Sequence, residues 1–504
     1  MGARLVTWGI IIAYMVFIFV KGVLKAKKIN DTDDFLVAGR NIGWFFLFCT
    51  MGATVVGGGC SIGAIGRTYE WGVLMLLVST GWYLHFIFSG LFVAPKFRDA
   101  ELYTVAGYFG HRFGEGPRFL VLILSLLFSV FIVAAQMAAF GSVLTAILPD
   151  FADSSVVLAL AILIGGTVVV IYSTAGGLLA VIHTDVYQFV ILIGGFLITL
   201  AACVPGIISS WETAVDKVPA AFFQLEGGKG WIFLITTFLA FFLGETFAPG
   251  YATRYCVGKD VRETRIGIAG VGIFLAIVFP VVLFFIALYA RLHFPEIPPQ
   301  QALPMVIRQL NNPVVGGVVI GALLMAVMSS ADSALNSSTA IFVKDLFEHQ
   351  LGWEDTGDGR MLRLARFCSA ALGVTAILVA VLWSDIIGLL LFTYHLWAPA
   401  VILPVVVGVL SKTRSPALTR NIFITMLTAS VLTLVYKGVA LLNNRFDVAL
   451  FGDGVYKFIE QVDASVFGVT VSCLTFGALS FFKLAGDVVP VEDAEEGEFS
   501  YSDD

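Results

Sequence analysis

The sequence predicts an all-α integral membrane protein with about thirteen transmembrane helices. Three observations support this fold class. Of the 504 residues, 58% are hydrophobic and only 13% are charged, whereas soluble domains are about one quarter charged. The mean hydropathy is +0.92. Apolar stretches of about 20 residues, the length that crosses a bilayer, recur along the whole chain.

The apolar stretches, taken in order, define the predicted helices. No small-residue cleavage site ends the first stretch, so we expect a retained transmembrane helix there. The stretches begin near Leu5, Asn41, Trp71, Arg118, Ser155, Leu178, Trp231, Ile266, Pro313, Leu362, Ile386, Leu418 and Ser465.

We divide the chain into five parts. Residues 1–40 hold the first transmembrane helix and a cytoplasmic loop, and residues 41–205 form a first set of five helices. Residues 206–411 form a second set of five with an outer loop. Two additional transmembrane helices occupy residues 412–485, and residues 486–504 are predicted to be an acidic, disordered cytoplasmic tail. Two sets of five helices are typical of inverted repeats in transporters.

Basic residues are concentrated in alternate loops, which predicts the orientation in the membrane. By the positive-inside rule these loops are cytoplasmic. This places the N-terminus outside and the C-terminus in the cytoplasm of a multi-pass protein of the plasma (inner) membrane. The basic residues after the first, third, seventh, ninth and eleventh helices include Lys25, Lys28, Lys96, Arg98, Arg254, Lys259, Arg262, Arg265, Arg360, Arg363, Lys412 and Arg414.

The leading helix of each set contains residues that break helices. Gly57, Gly58 and Gly59 lie mid-membrane in the first, and Pro249-Gly250 interrupts the second. Breaks at corresponding places in two halves indicate a transporter's binding site, because unwound carbonyls ligate cations and freed helix ends meet polar substrates. The alternative is that these glycines only allow close helix packing.

Residues 326–338 place a hydroxyl-rich stripe and an aspartate inside a long apolar helix. Ala326, Ser329, Ser330 and Ser333 fall on one helical face, and Asp332 leans the same way. Lipid offers such groups no partner, so an ionisable residue at this depth indicates a functional site. A line of hard oxygen ligands facing one cavity suits a small cation.

Three ordered motifs resemble those of the sodium/solute symporter family, which has a leucine-transporter-like fold with a 5+5 inverted repeat. The resemblance runs from about Asp34 to Gly408, and within the family it is greatest to the high-affinity choline transporter branch. The motifs are Phe35-Leu-Val-Ala-Gly-Arg-Asn-Ile-Gly, the stretch from Tyr172-Ser-Thr-Ala-Gly-Gly to Gln188, and Ser329-Ser-Ala-Asp-Ser followed by Lys344-Asp345. The branch is suggested by Val56-Gly-Gly-Gly59 and Met328-Ser-Ser-Ala-Asp-Ser333.

The resemblance implies where sodium binds. A main site would use the carbonyls of Ala53, Val56 and Ala326 and the hydroxyls of Ser329 and Ser330. Five neutral oxygens suit a monovalent ion.

A second site, for sodium or a proton, would use Asp185, Ser329, Asp332 and Ser333. Asp332 stands where the family usually has a serine or threonine. The alternatives are that Asp185 is a hydrogen-bonded residue near a helix end, and that Asp332 is a protonated acid bonded to neighbouring serines.

The substrate residues are inferred partly from the resemblance. The choline branch has tryptophans at positions that align with Val55, Ile132 and Ala248, and of that aromatic cage only Trp82 remains here. Glu245, at the second break, instead favours a protonated amine or polyamine that donates hydrogen bonds. The alternatives for Glu245 are that it pairs with another group of the protein or is itself protonated. The predicted substrate residues are Trp82, Gln136, Glu245, Phe247 and Tyr394. As polar residues within membrane helices, Gln136, Tyr394, His85 and His395 are equally expected to form interhelical hydrogen bonds.

We therefore expect a sodium-coupled secondary active symporter of a small organic solute, an amine or polyamine cation, that works by alternating access. The alternatives are a symporter of choline or of another small polar solute, such as an amino acid, a carboxylate or urea, and a transporter-like sensor. No charged ring or repeated filter loop indicates a channel. The sequence has no nucleophile–base spacing or nucleotide loop of an enzyme, its six cysteines are scattered, and no nucleic-acid partner is expected.

Overall fold

The computed structural model describes residues 2–26, 32–147, 154–175, 178–214, 216, 218–353, 359–411, 413–446, 451–481 and 489–490. Its regular elements are nearly all helices. The first ten are α1 (Gly2–Ala26), α2 (Thr32–Val37), α3 (Trp44–Val55), α4 (Ala64–Trp71), α5 (Val73–Phe88), α6 (Ala94–Asp99), α7 (Val105–Phe113), α8 (Glu115–Ile147), α9 (Ser154–Ala175) and α10 (Leu178–Ala214).

The second half of the described chain is built in the same way. Its helices are α11 (Trp231–Gly244), α12 (Pro249–Tyr255), α13 (Val261–His293), α14 (Ala302–Leu310), α15 (Pro313–Ala340), α16 (Arg360–Leu382), α17 (Ile386–Leu410), α18 (Pro416–Phe446), α19 (Asp453–Gln461) and α20 (Ala464–Phe481). Two short strands, β1 (Thr413–Arg414) and β2 (Val489–Pro490), pair antiparallel.

The described helices fit a multi-pass membrane protein. Among the described residues, nine helices are long and apolar enough to cross a bilayer. Two pairs pass the same test together but are bent: α3 with Gly59–Trp71 by 58°, and α11 with α12 by 50°. The apolar helices at Leu5–Lys21 and Ser155–Ile171 are shorter. The count of about thirteen transmembrane helices stays a prediction.

Each set of five begins with one of the bent pairs. The first set consists of α3 with α4, α5 with α6, α8, α9 and α10, and the second of α11 with α12, α13, α15, α16 and α17. The predicted boundary between residues 205 and 206 falls inside α10, which continues through Pro205 to Ala214. The helix packs closely on α13 there, because a Cβ on Gly206 would collide with the ring of Tyr289.

α15 lies at the centre of the bundle. Every residue from Val319 to Ala340 is buried, and the helix contacts α1, α3, α8, α9, α10, α12 and α16. It is rich in glycine, alanine and serine, and such small residues let neighbouring backbones approach. The hydroxyl-rich stripe therefore faces protein rather than lipid.

The outer segment at residues 211–229 packs on the bundle where the structure describes it. The ring of Trp211 lies edge-on to that of Phe223, with centroids 6.1 Å apart. The backbone of Phe222 closes on Gly72, whose φ of +58° and lack of a side chain permit the contact. Of the predicted acidic tail only residues 489–490 are described, in β2, and the rest lies outside the described residues.

Candidate ion and substrate site

The first break separates α3 from the helical turns that follow it. α3 ends at Val55, and residues 56–58 leave the helix before a π-helical segment begins at Gly59. The last carbonyls of an α-helix lack intrahelical partners, so this end of α3 presents free oxygens inside the protein. The amide of Gly58 donates to Oε1 of Gln136 at 2.8 Å. Gln136 therefore accepts an N–H that the interrupted helix does not use.

The glycine triplet also permits close packing, the alternative interpretation of the motif. A Cβ on Gly57 would collide with Oγ of Ser330, and a Cβ on Gly58 with that of Ala139. The triplet does permit close packing, since α3 approaches α15 where no side chain separates the two helices. That the break also binds an ion or a substrate stays a prediction.

Of the residues predicted for the main sodium site, Ser330 lies where α3 ends against α15. Oγ of Ser330 donates to the carbonyl oxygen of Thr54 at 2.7 Å and lies 3.2 Å from the carbonyl oxygen of Ala326. Oγ of Ser329 donates to Oδ1 of Asp185 at 2.5 Å. The sodium site itself stays a prediction. All five predicted residues are buried: Ala53, Val56, Ala326, Ser329 and Ser330.

Arg254 lies within the predicted second ion site. The sequence interpretation that put it in a cytoplasmic loop is wrong, because Arg254 belongs to α12 and is 0% exposed. Its Nη2 donates to Oγ of Ser333 at 2.6 Å and lies 3.5 Å from Oδ2 of Asp185. Its Nε donates to Oγ1 of Thr50 at 3.2 Å. The chain bends by 50° before α12, so this helix stays inside the bundle instead of leaving the membrane.

Asp332 lies near enough to Arg254 and Asp185 to interact with both electrostatically, but it is not a member of the ion pair that the structure describes. Its Oδ1 accepts a hydrogen bond from the hydroxyl of Ser173 in α9. The side chain is 2% exposed, and in the described part of the chain no basic side chain forms an ion pair with it. Within the predicted second site, Asp185 and Ser333 therefore contact a guanidinium, whereas Asp332 is a buried acid bonded to a neutral hydroxyl.

A cavity with about 610 Å³ of atom-free space lies between the two breaks. Trp82, Gln136 and Glu245, three of the predicted substrate residues, line it. The positions aligned with the tryptophans of the choline branch also face it, so the aliphatic residues there leave room that indole rings would fill. These positions are Val55, Ile132 and Ala248.

Two further aromatic residues line the cavity and were missed in the sequence. They are Phe128 and Tyr251. α8, which carries Phe128, is apolar on all sides, so its pattern did not distinguish the cavity face. Tyr251 follows the second break by two positions, and only the course of α12 shows that it turns towards the cavity.

Glu245 is held at the second break by two phenols. α11 ends at Gly244 and α12 starts at Pro249, a favoured first residue for a helix. Tyr251 donates to Oε2 of Glu245 at 2.7 Å, and Tyr394 donates to Oε1 at 2.6 Å. The carboxylate forms no ion pair with any described basic residue. It is thus a buried acid whose protein partners, as far as the structure describes them, are neutral.

Tyr394 and Phe247 do not line the cavity. The Tyr394 hydroxyl accepts a hydrogen bond from Nε1 of Trp82 at 2.9 Å and donates one to Glu245. Tyr394 therefore holds two residues that line the cavity. Phe247 stacks on Phe97 with centroids 6.5 Å apart and has a φ of +64°. A bulky residue rarely adopts this left-handed conformation. The sharp turn at the break therefore directs its ring away from the cavity.

The two histidines of the sequence interpretation lie outside the cavity lining. His395 Nε2 is 3.1 Å from Oδ2 of Asp463, which joins α17 to the start of α20. His85 packs on the rings of Phe86 and Tyr251, with the first pair of centroids 3.8 Å apart. Their nearest contacts are within the protein.

Paired helix breaks around buried oxygen ligands and a central cavity define a membrane transporter. The profile of the Sodium:solute symporter family matches residues 35–418. The chain therefore belongs to this family, as the sequence motifs had indicated.

Two curated relatives illustrate the range of the family. The chain is 27% identical over 409 residues to high-affinity choline transporter 1 of Caenorhabditis elegans, an alignment that covers 75% of this chain and 69% of the relative. It is 25% identical over 402 residues to the sodium/glucose cotransporter of Vibrio parahaemolyticus, covering 71% and 70%.

The fold matches a solved structure, the substrate-bound outward-open state of a Na+-coupled sialic acid symporter. The TM-score is 0.70 at 19% identity, with 93% of this chain and 98% of that chain covered. The predicted all-α, leucine-transporter-like fold is confirmed by this similarity. At 19% identity the match supports the fold but says nothing of the substrate.

Proposed function

We propose that the protein is a sodium-coupled symporter of a small organic cation and works by alternating access about the cavity between its two breaks. The observation that carries the substrate class is Glu245, a buried carboxylate at the cavity whose described partners are two tyrosine hydroxyls. A buried charge is costly unless it is paired. A cationic substrate would supply the missing counter-charge each time it binds.

Sodium is the coupling ion in this proposal. It binds between the end of α3 and α15, at the carbonyls of Ala53, Val56 and Ala326 and the hydroxyls of Ser329 and Ser330. The Ser330 hydroxyl bonds to the carbonyl oxygen of Thr54 in α3, and a sodium ion coordinated by Ser330 would replace this contact and hold the two helices together. Sodium then favours the outward-open state, and substrate binding permits the change to the inward-open state.

A proton is proposed as the second cation, on Asp332, because Asp185 and Ser333 already contact the guanidinium of Arg254. The family's usual serine or threonine would give this position a neutral oxygen, whereas Asp332 adds a buried carboxylate that bonds only to a hydroxyl among its described partners. A proton there would compensate the charge.

The cavity favours a monoamine over a polyamine. Glu245 is its single carboxylate among the lining residues that the structure describes. A polyamine would bury several ammonium groups, and each would need its own partner. A primary or secondary ammonium group, in contrast, donates hydrogen bonds to one carboxylate while its chain contacts the aliphatic lining.

Choline is the second candidate. High-affinity choline transporter 1 of Caenorhabditis elegans is among the relatives, and the rings of Trp82, Phe128 and Tyr251 line the cavity. Ring faces attract a quaternary ammonium, which cannot donate hydrogen bonds. The distinction between the candidates is therefore whether the substrate must carry an N–H group.

The proposed orientation is that of a plasma membrane protein with its N-terminus outside and its C-terminus in the cytoplasm. Without Arg254, the loop after α12 still carries Lys259, and Arg262 and Arg265 lie at the start of α13, which follows that loop. The positive-inside rule thus retains its basis at this loop.

A thermal-shift screen of the purified chain, in sodium and in potassium buffer, tests the proposal. The solutes are ethanolamine, choline, putrescine, proline and glucose. A ligand that binds the folded state raises the unfolding temperature. We expect ethanolamine to stabilise the protein only with sodium present. If choline is the only one of the five solutes that stabilises it, the second candidate is selected. Stabilisation by glucose or proline instead would contradict a cationic substrate.

The matched variants are Glu245→Gln and Glu101→Gln. Each removes one carboxylate, but the side chain of Glu101 is 72% exposed. Loss of a charge-assisted hydrogen bond costs about 1.5–3 kcal/mol, or about 10- to 100-fold in affinity. Glu245→Gln should lose this amount for the amine and keep its sodium response, and Glu101→Gln should match the unmodified protein. Equal amine affinity in Glu245→Gln would remove the proposed role of Glu245.

A further inference from the structure

The guanidinium of Arg254 is surrounded by the oxygens that would otherwise be available to a cation at Asp185. Nη2 reaches Oγ of Ser333 at 2.6 Å and Oδ2 of Asp185 at 3.5 Å, and Nε reaches Oγ1 of Thr50 at 3.2 Å. Nη1 donates to the carbonyl oxygen of Gly250 at 3.1 Å. The partners come from α3, α10, α12 and α15, so one side chain joins both broken helices to the two long helices of the ion cluster.

The charges of this pair balance. Arg254 and Asp185 are both 0% exposed, and a buried charge needs an opposite charge nearby. Among the described residues, Asp185 is the carboxylate that forms an ion pair with Arg254. The remaining bonds of Asp185 come from the neutral hydroxyls of Thr50 and Ser329. The negative charge of Asp185 is therefore already used within the protein.

Ser329 connects this pair to the main sodium site. Its hydroxyl, a proposed sodium ligand, donates to Oδ1 of Asp185, the same carboxylate that faces Arg254 through Oδ2. Because one hydrogen bond joins Ser329 to Asp185, a change in the charge near Asp185 alters the electrostatic potential at the Ser329 hydroxyl. The positive charge of Arg254 thus opposes the attraction of Asp185 for an ion bound at Ser329.

We propose that Arg254 is a tethered cation that takes the place of a second sodium at Asp185 and thereby limits the number of sodium ions the cluster binds. Without the guanidinium, Asp185 would present a carboxylate together with the hydroxyls of Thr50, Ser329 and Ser333, a suitable ligand set for sodium. With the guanidinium present, the same atoms serve an internal cation. This inference rests on the proposed sodium coupling.

Sodium titrations of thermal stability, without added solute, test this assignment in the purified full chain. The four proteins are the unmodified chain, Arg254→Gln, Asp185→Asn and the double variant. Arg254→Gln frees Asp185 for a further ion, so we expect a steeper sodium dependence and a half-saturating concentration at least threefold lower. Asp185→Asn leaves the guanidinium uncompensated beside Ser329, so the half-saturating concentration should rise at least tenfold.

The double variant decides between a tethered cation and a direct sodium ligand. It restores the charge balance, so we expect its half-saturating sodium concentration within about threefold of the unmodified protein. If Asp185 instead binds sodium directly and Arg254 only packs, the double variant will be as impaired as Asp185→Asn. That result, or no effect of either single substitution, would overturn the proposal.

Further variants separate this result from misfolding and from failure of the proposed function. Arg254→Lys keeps the tethered charge, so its unfolding temperature should depend on sodium concentration as steeply as that of the unmodified protein. A steeper dependence in this variant, as expected for binding of a further ion, would also overturn the proposal. Removing the half-exposed pair of Arg67 and Asp385 by Arg67→Gln and Asp385→Asn should leave the sodium response unchanged. If the unmodified chain shows no sodium response, the sodium-coupled function itself fails. If it responds but the double variant does not recover, only the role of Arg254 fails.

Discussion

The ion cluster at the first break and the substrate cavity at the second each contain a buried carboxylate, but the two acids are compensated differently. Asp185 lies 3.5 Å from the guanidinium of Arg254 and accepts two hydroxyl donors. Glu245 accepts two phenol hydroxyls and forms no ion pair among the described residues. The described contacts therefore compensate Asp185 with a guanidinium, whereas the described partners of Glu245 are neutral.

In the proposed function, this difference lets one fold bind two kinds of cation. The ion cluster gathers carbonyl and hydroxyl oxygens near a charge-balanced pair, which suits a monovalent ion without excess charge. The cavity combines one carboxylate with the rings of Trp82, Phe128 and Tyr251, which suits an organic cation with an apolar part. Three contrasts between substitutions, ordered by expected effect, test the comparison.

The largest contrast is expected in stability without ligand, between Asp185→Asn and Glu245→Gln. Asp185→Asn leaves Arg254 buried without its counter-charge, which costs about 3–5 kcal/mol. Glu245→Gln removes an acid that has no charged partner among the described residues. Its single amide oxygen can accept from one tyrosine and its NH2 group can donate to the other phenol oxygen, so we expect a loss below about 1 kcal/mol. Unfolding temperatures in potassium buffer measure both.

Equal destabilisation by the two substitutions would contradict the comparison. It would show that Glu245 is as firmly compensated within the protein as Asp185 is. The argument for a cationic substrate would then lose its main support.

The next contrast concerns packing at the two breaks. A Cβ on Gly57 would collide with Ser330, whereas a Cβ on Gly250 would have no neighbouring atom nearer than 3.9 Å. Gly57→Ala should therefore cost about 1–3 kcal/mol by overpacking and should abolish the sodium-dependent rise in unfolding temperature. Gly250→Ala, the control in α12, should leave both unchanged or raise stability slightly. A normal sodium response in Gly57→Ala would refute the ion site at the α3–α15 contact.

The smallest expected effect is that of single hydroxyls in the main sodium site. Ser329→Ala and Ser330→Ala each remove one proposed ligand, at about 1 kcal/mol, so the half-saturating sodium concentration should rise about five- to tenfold. Ser338→Ala is the control, because its hydroxyl bonds only to the Ala334 carbonyl of its own helix. Unchanged sodium dependence in both Ser329→Ala and Ser330→Ala would remove the main-site assignment.

Features that depend on neighbouring residues along the chain were predictable. Membrane insertion demands long apolar helices, and a helix break at Gly57–Gly59 or Pro249 needs only the local residues. The hydroxyl-rich stripe of α15 was visible because lipid gives Ser329 and Asp332 no partner. These predictions place the proposed ligands of the main sodium site on α3 and α15, two helices that contact each other in the structure.

The pairing of charges was decided by the tertiary structure alone. Arg254 and Asp185 are far apart in sequence, and a single arginine after a break has the same local pattern as a cytoplasmic loop residue. Glu245 meets Tyr394 only because α17 packs beside α11. The local sequence identifies the polar residues that are unfavourable in contact with lipid. The bend of the backbone at each break, in contrast, determines which of the buried charges lie close together. The physical reason is that electrostatic pairing depends on distance in space, which the 50° bend before α12 sets for Arg254.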